Sequence, residues 1–519
     1  MRRAPAWLGY VRLLLLAAAL WPVAAGVGAV IDGEHYFRQT HVAANIETYV
    51  ARGLSLRPRT YNADAPQSAF DFPVFELGVA ALCRSLGSDP LRCARWTNLG
   101  LLALTVLVFD WLLARTRVRP IHRLFAVVFF AFSPLVLYFF HTPIVDGLAI
   151  FLSLLSLAAF AGWHPTFGPP RRYAFTICLA AGIGATLVKN PTYLPVFLAI
   201  LGFVAAQDGW KRLLRPAIVV YVIGVGLSLL AFRVYFDVEN GASGLITSDE
   251  ASAYFGDVAL RFSSHDWGRI LAIVARRGVC LVGFALALPG LAWDLRRAHG
   301  GRRLLYAALL AGNLATLLVF FNRYRWHSYY NLPIVLPLAF YAGAGVDGLR
   351  HVAARLVRGR QRALAGALPA AALVVVLGVT VVESRAAVEV GAGAPARTGT
   401  STQRLVAAGD WLRERTTPDD FVAYVVADTE NWNPAYLYFA KRDGYNLHVV
   451  ELPSLPRLQL RYSASHRRFL VFSPDDCPHA HLVTNWLLQH RARILDQGPQ
   501  GTLYWLEKRR PAGAADPPA

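Results

Sequence analysis

Apolar runs long enough to cross a bilayer alternate along this chain with short polar stretches. The runs cover about 8–30, 96–114, 124–141, 146–162, 173–188, 192–206, 216–236, 270–293, 304–321, 329–349 and 365–383. A spanning helix needs roughly 20 predominantly apolar residues. The pattern therefore predicts a polytopic α-helical membrane protein with about 11 transmembrane helices. The pairs 124–141/146–162 and 173–188/192–206 are so closely spaced that each reads as a tight hairpin, or as a partly inserted turn. Met1-Arg2-Arg3 before the first run resembles the start of a signal peptide, with small residues near Ala24 to Ala29. The length of that run and the ten that follow make an uncleaved anchor the expectation.

Charge gives the runs a direction. The chain of 519 residues carries a formal charge of +19. Six short stretches, 1–6, 115–123, 163–172, 207–215, 294–303 and 350–362, hold 20 Arg and Lys against Asp208 and Asp294. A nucleic-acid-binding protein spreads such charge over one face. Here it punctuates hydrophobic segments, the positive-inside pattern. It places the N-terminus in the cytoplasm and the C-terminal region outside the plasma (inner) membrane, with no nucleic-acid partner. A composition 55% hydrophobic and 16% charged fits that class. The cysteines at 83, 93, 178, 280 and 477 show no metal-ligand spacing. Cys83 and Cys93 fall on the outer side, either as a pair or as inert thiols. No Gly-rich phosphate loop of the Walker type is present, so nothing points to ATP-driven transport.

Chemistry-bearing residues gather on the predicted outer side. The loop 31–95 balances Asp32, Glu34, Glu47, Asp64, Asp71, Glu76 and Asp89 against Arg38, Arg52, Arg57, Arg59, Arg84, Arg92 and Arg95. Its prolines and aromatics suit folded structure, and PVFELGVAALCRSLG from Pro73 to Gly87 has the character of an interfacial amphipathic helix. Asp32 and Glu34 directly follow the first run. A partly desolvated carboxylate there gains basicity, although an acid ending a helix at the interface is the plainer reading. Asp-x-Glu also suits a divalent ion, but two carboxylates make a weak site. Asp146 opens the fourth run, either as a helix-start acid or as a functional group. Lys189, in Lys189-Asn190-Pro191, is one of only four lysines; it either snorkels to the interface or serves an anionic head group. Arg323, Arg325, His327, Tyr329 and Tyr330 crowd one boundary. An aromatic belt explains the tyrosines, whereas guanidinium groups on that side match phosphate oxygens.

Beyond a linker at 384–402, the residues 403–519 read as a small outer α/β domain. Helices are expected at 403–415 and 433–440, and strands at 421–427, 447–451, 469–472 and 502–507. The remainder, 1–383, is the transmembrane module.

The ordered set of Asp32-Gly33-Glu34, Phe70-Asp71-Phe72-Pro73, Pro143…Asp146-Gly147, Lys189-Asn190-Pro191 and His327-Ser328-Tyr329-Tyr330 with Leu332-Pro333 resembles the GT-C fold glycosyltransferases that use polyprenyl-phosphate sugars. The likeness is to the bacterial branch related to protein mannosyltransferases and the lipid A aminoarabinose transferase, and it covers about 1–350. Ser328 stands where many relatives have an acid, and Gly33 separates acids that are often adjacent. The resemblance implies transfer of a sugar from a polyprenyl-phosphate donor to a glycan, lipid or protein acceptor, in cell-envelope glycosylation. It implies Asp32 as general base, with Glu34 beside it, and inversion at the anomeric carbon. Lys189, Arg323, Arg325, His327, Tyr329 and Tyr330 would bind the donor phosphate, with Arg38, Asp71 and Asp146 as further candidates. No cofactor is implied, and a divalent metal is not favoured. A transporter or lipid flippase is the alternative, although no internal repeat supports it; a membrane scaffold is a third reading.

Overall fold

The computed structural model describes residues 34–58, 60–62, 69–240, 248–297, 300–356, 378–384, 399–426, 433–463, 465–475 and 477–506, with short pieces between 14 and 31 and between 371 and 376. The chain divides into two compact units, Met1–Val30 with Asp71–Gly393, and Ile31–Phe70 with Ala394–Ala519.

The first unit is helical. Six described helices are long and apolar enough to cross a membrane, or up to eight if each of two bent pairs is one span. Pro90–Arg115, Asp146–Trp163, Pro216–Asn240, Gly301–Val319 and Ser328–Arg355 match expected runs. The first and last expected runs are described only in part. The run 124–141 is a pair, Pro120–Ala131 and Pro134–His141, bent by 49° where Ser133 caps the second helix and Pro134 starts it. The run 270–293 is not one straight span. Ser264–Gly278 meets Cys280–Arg297 at 103°, because a wide turn at Val274–Gly278 and a left-handed Cys280 (φ 60°) break the ladder. Cys280–Arg297 packs backbone to backbone on Leu332–Leu356. A Cβ on Gly290 would overlap the Tyr341 carbonyl and lie 2.6 Å from the Gly345 nitrogen, the close approach that small residues permit between membrane helices.

Ala174–Asp208 is helical throughout except at Lys189, whose φ of −164° and ψ of 94° are extended. The chain turns back there. Gly162 faces Ala174 at the start of the helix, while His164 hydrogen-bonds Asp208 at its end (3.0 Å). The expected hairpin of 173–188 and 192–206 thus forms with Lys189 at its tip. Pro191 falls in the first turn of the second arm, where a missing N–H costs no hydrogen bond.

The basic stretches meet at one end of the bundle. Arg115 donates to the Pro169 carbonyl (2.7 Å), Arg302 to the Arg117 carbonyl (3.4 Å), and Arg119 pairs with Asp347 (3.2 Å). The opposite end carries Asp146, Lys189 and the connection 320–331.

The second unit is a five-stranded sheet with helices on both faces. Its strands are β1 (Asp420–Val426), β2 (Gly444–His448), β3 (Arg468–Pro474), β4 (Arg493–Gly498) and β5 (Gly501–Trp505), in the order β2-β1-β3-β5-β4. The β1 strand pairs in parallel with β2 and β3, while β5 runs antiparallel to β3 and β4. Phe421, Ala423 and Val425 face one core with Val483 and Leu487; Val422, Tyr424 and Val426 face the other with Trp411, Leu412 and Leu437. Burial on both faces explains the continuous apolar run of β1.

Residues 31–70 are built into this sheet unit. Tyr61 accepts from the Gly444 nitrogen (2.9 Å), and the Asn62 side chain accepts from the Asn446 nitrogen (3.2 Å), so the segment extends the β2 edge. Arg52 grips both oxygens of Asp443 at 2.7 Å. The expected first outer loop therefore splits: 31–70 groups with the C-terminal sheet, and 71–95 with the helices.

Candidate active site

In the helical unit, two separate stretches converge on Lys189. Its ammonium lies 2.5 Å from Asp146 Oδ1, 3.9 Å from the centre of the Tyr329 ring and 5.1 Å from that of Tyr330. The Lys189 and Asp146 side chains are only 5% and 3% exposed, a depth at which a charge needs a partner. Asp146 begins its helix and Asn190 begins the second arm of the hairpin. Two positive helix ends thus flank the ammonium.

The local fold secures this arrangement. Asn98 donates to the Thr142 and Ile144 carbonyls (2.7 and 3.0 Å) and holds the chain ahead of Asp146. A Cβ on Gly147 would lie 2.8 Å from Asn98 Oδ1 and 3.2 Å from the Phe140 ring, so that contact requires glycine.

The connection 320–331 supplies the other wall. Tyr329 stacks on His327 (5.3 Å, 18°) and meets Phe139 edge-on. Arg323 lies 3.2 Å from His327 Nε2 and 4.4 Å above the Tyr254 ring. A guanidinium only donates, so His327 Nε2 accepts, and a neutral ring carries its proton on Nδ1. The structure thus brings Lys189, Asp146, Tyr329, Tyr330, His327 and Arg323 into one neighbourhood. Arg325 points elsewhere: it pairs with Asp266 at 3.0 Å and is tied up there.

Asn98, Phe139 and Tyr254 were not singled out by sequence reasoning. Asn98 lies inside a spanning helix, and a polar residue in such a segment is the signal that finds it.

The remaining expected residues belong to the sheet unit. Asp32 lies outside the described residues. Glu34 precedes the left-handed His35 (φ 57°), and its carbonyl accepts from Gln39 (3.1 Å) at the start of helix Tyr36–Arg52. Arg38 is buried and lies 4.7 Å over the Phe70 ring, with His41 against the same ring. Farther along the helix, Glu47 accepts from Lys441 with both oxygens (2.7 and 2.6 Å), from Tyr61 (3.0 Å) and from Tyr438 (3.2 Å). Burial, and then the Glu47 charge, hold the Tyr61 hydroxyl well above its ordinary pKa, so it stays a donor. Among the described residues, no three His, Cys, Asp or Glu side chains gather as metal ligands would.

No family model matches the chain, and no curated protein matches it by sequence. Solved structures do match. ArnT from Cupriavidus metallidurans, bound to undecaprenyl phosphate, superposes over 98% of this chain and 99% of its own, with TM-score 0.63 and 15% identity. The fold is that of the GT-C glycosyltransferases. Two further structures share it. The oligosaccharyltransferase AglB from Archaeoglobus fulgidus, in complex with an inhibitory peptide and a dolichol-phosphate, matches over 97% of this chain and 75% of its own, with TM-score 0.57 and 12% identity. The arabinofuranosyltransferase AftD from Mycobacteria matches over 98% of this chain and 40% of its own, with TM-score 0.53 and 14% identity. At these identities the GT-C likeness is one of architecture, and the chemistry is argued from this chain's residues.

Proposed function

We propose that this GT-C protein transfers a sugar from a polyprenyl-phosphate donor to an acceptor hydroxyl at the outer face of the inner membrane. The observation that carries the reading is the buried Lys189, held by Asp146 against Tyr329 and Tyr330 at a break between helices. Such a break places backbone donors and a cation at the end of the bundle, at the lipid head-group level. The basic end of the bundle supports a cytoplasmic N-terminus, with the Lys189 end and the sheet unit outside.

In the proposed reaction Asp32 takes the proton from the acceptor hydroxyl as its oxygen attacks the anomeric carbon from the face opposite the lipid phosphate. The configuration inverts, and the polyprenyl phosphate leaves with the bonding electrons. General-base help of this kind contributes about 100- to 10,000-fold. Lys189 and Arg323 meet the charge that develops on the leaving phosphate, and His327, Tyr329 and Tyr330 orient its oxygens. Preorganised cations act most strongly in a site that excludes water. Glu34 assists near Asp32, and Asp146 holds Lys189 in place. Neither nucleotide nor other cofactor is required by these steps.

The test is sugar release from a panel of labelled polyprenyl-phosphate sugars by purified protein, with native lipid extract as acceptor. One donor should turn over, and Asp32→Asn should abolish turnover while donor binding persists. Equal turnover by both proteins would remove Asp32 from catalysis. Absence of donor binding in the wild-type protein would overturn the transferase reading.

A further inference from the structure

Beside the site, at the same end of the helical unit, two cysteines meet. Helix Val74–Leu86 and helix Pro90–Arg115 are joined by a three-residue turn whose geometry is set at both sides. Gly87 takes the left-handed conformation (φ 60°), and its nitrogen and that of Ser88 bond back to the Cys83 carbonyl. Asp89 caps the next helix by accepting from the Arg92 nitrogen at 2.9 Å. This turn brings Cys83, in the last turn of one helix, beside Cys93, in the first turn of the other.

Cys93 Sγ lies 3.9 Å from the Val79 carbonyl, one helical turn before Cys83, so its sulfur reaches across to the helix that carries Cys83. Both cysteines are buried, and both are thiols in this structure. Cys93 also lines a cleft of about 490 Å³ with Leu82, Leu86, Arg92 and Trp96. The other described cysteines have other surroundings: Cys178 meets Ser156, Cys280 meets Ser384, and Cys477 packs in the sheet core.

We propose that Cys83 and Cys93 are a dithiol that oxidises to a disulfide, stapling the surface helix Val74–Leu86 to the following span. The oxidant is a small or protein disulfide. The Cys93 thiolate attacks it, releasing one thiol and leaving a mixed disulfide. Cys83 then attacks the Cys93 sulfur, the protein disulfide forms, and the second thiol departs. The two cysteine protons end on the two released thiols, so the oxidant gains the two electrons that the cysteines lose. Burial holds the Cys83 thiol above its ordinary pKa, which leaves the first attack to Cys93. The orientation proposed above places the pair in a compartment where disulfides persist, but the chemistry does not depend on it.

The experiment uses the intact protein, equilibrated with oxidised glutathione, then unfolded and treated with N-ethylmaleimide. Trypsin cuts after Arg84 and Arg92 and so puts the two cysteines on different peptides. Mass spectrometry should find those peptides linked, with Cys178, Cys280 and Cys477 alkylated. Oxidation should also raise the melting temperature, and reduction should reverse the rise. Both cysteines recovered alkylated after oxidation of the folded protein would overturn the proposal, as would links that join either of them to a third cysteine. Donor turnover is not part of the readout, so failure here leaves the transferase reading untouched.

Discussion

Lys189 and Lys441 each sit between a carboxylate and a pair of tyrosine rings, one in the helical unit and one in the sheet unit. Lys441 reaches both oxygens of Glu47 and lies 3.5 Å over Tyr438 and 5.7 Å from Tyr61. Both tyrosines also donate to the same carboxylate. That cluster ties helix Tyr36–Arg52 to the sheet. Lys189 has the same components, but its backbone leaves the helix, its carboxylate opens a neighbouring helix, and the rings come from a connection that also brings Arg323 and His327. A lysine, an acid and two tyrosines therefore do not define a function by themselves. The backbone that presents them does.

Removing the sheet unit tests the comparison most severely. Truncation after residue 390 deletes Lys441, Asp443 and the β2 edge, the partners of residues 31–70. Donor-phosphate binding by the helical unit should persist, while transfer falls to background because the segment carrying Asp32 and Glu34 loses its support. Retained transfer would show that this segment is held by other means. Lys189→Met comes next. It strands the Asp146 charge, which costs about 3–5 kcal/mol for a buried pair, and it should slow transfer by roughly 100- to 1,000-fold. Adding Asp146→Asn should recover thermal stability without recovering rate; a recovered rate would reduce Lys189 to a staple like Lys441.

Smaller effects belong to the sheet unit. Burial alone would raise the pKa of Asp420, but hydrogen bonds from Arg468 and the Thr417 nitrogen outweigh it, and the carboxyl lies below its ordinary value of 3.8. Its stabilising contribution is therefore complete above that value and is lost as pH falls through the folded pKa. Arg468→Met should cost roughly 3 kcal/mol near neutral pH and move acid unfolding of the sheet to higher pH, followed by near-UV circular dichroism. Glu47→Gln should lower stability by about 2 kcal/mol with transfer reduced but measurable. A Glu47→Gln protein as inactive as Lys189→Met would erase the distinction between the two lysines.

The span pattern and the α/β character of the tail were legible because both rest on periodicity and run length. Lys189 stood out because a lone lysine in apolar sequence is rare, and Tyr329 and Tyr330 followed from crowding at a boundary. The union of 31–70 with the C-terminal sheet was not legible. It depends on hydrogen bonds that the Tyr61 carbonyl and the Asn62 side chain accept from a strand nearly 400 residues away, which leave no local pattern. The β4 strand was missed because its edge position leaves it mostly exposed, so it lacks an apolar alternation. Arg325 was grouped with Arg323 by adjacency, but on a helical turn the two side chains diverge, one toward His327 and the other toward Asp266.

The helical hairpin also has a mechanical consequence. Its feet are clamped where His164 meets Asp208, and Arg215 approaches the same carboxylate at 3.8 Å. The second arm rises about 28 Å from there to Lys189 at 1.5 Å per residue. A stiff arm of that length is a lever: a tilt of a few degrees at the clamp moves the ammonium by an ångström or more. Alignment of the cation at one end of the molecule is thus set partly by how firmly the far end is pinned.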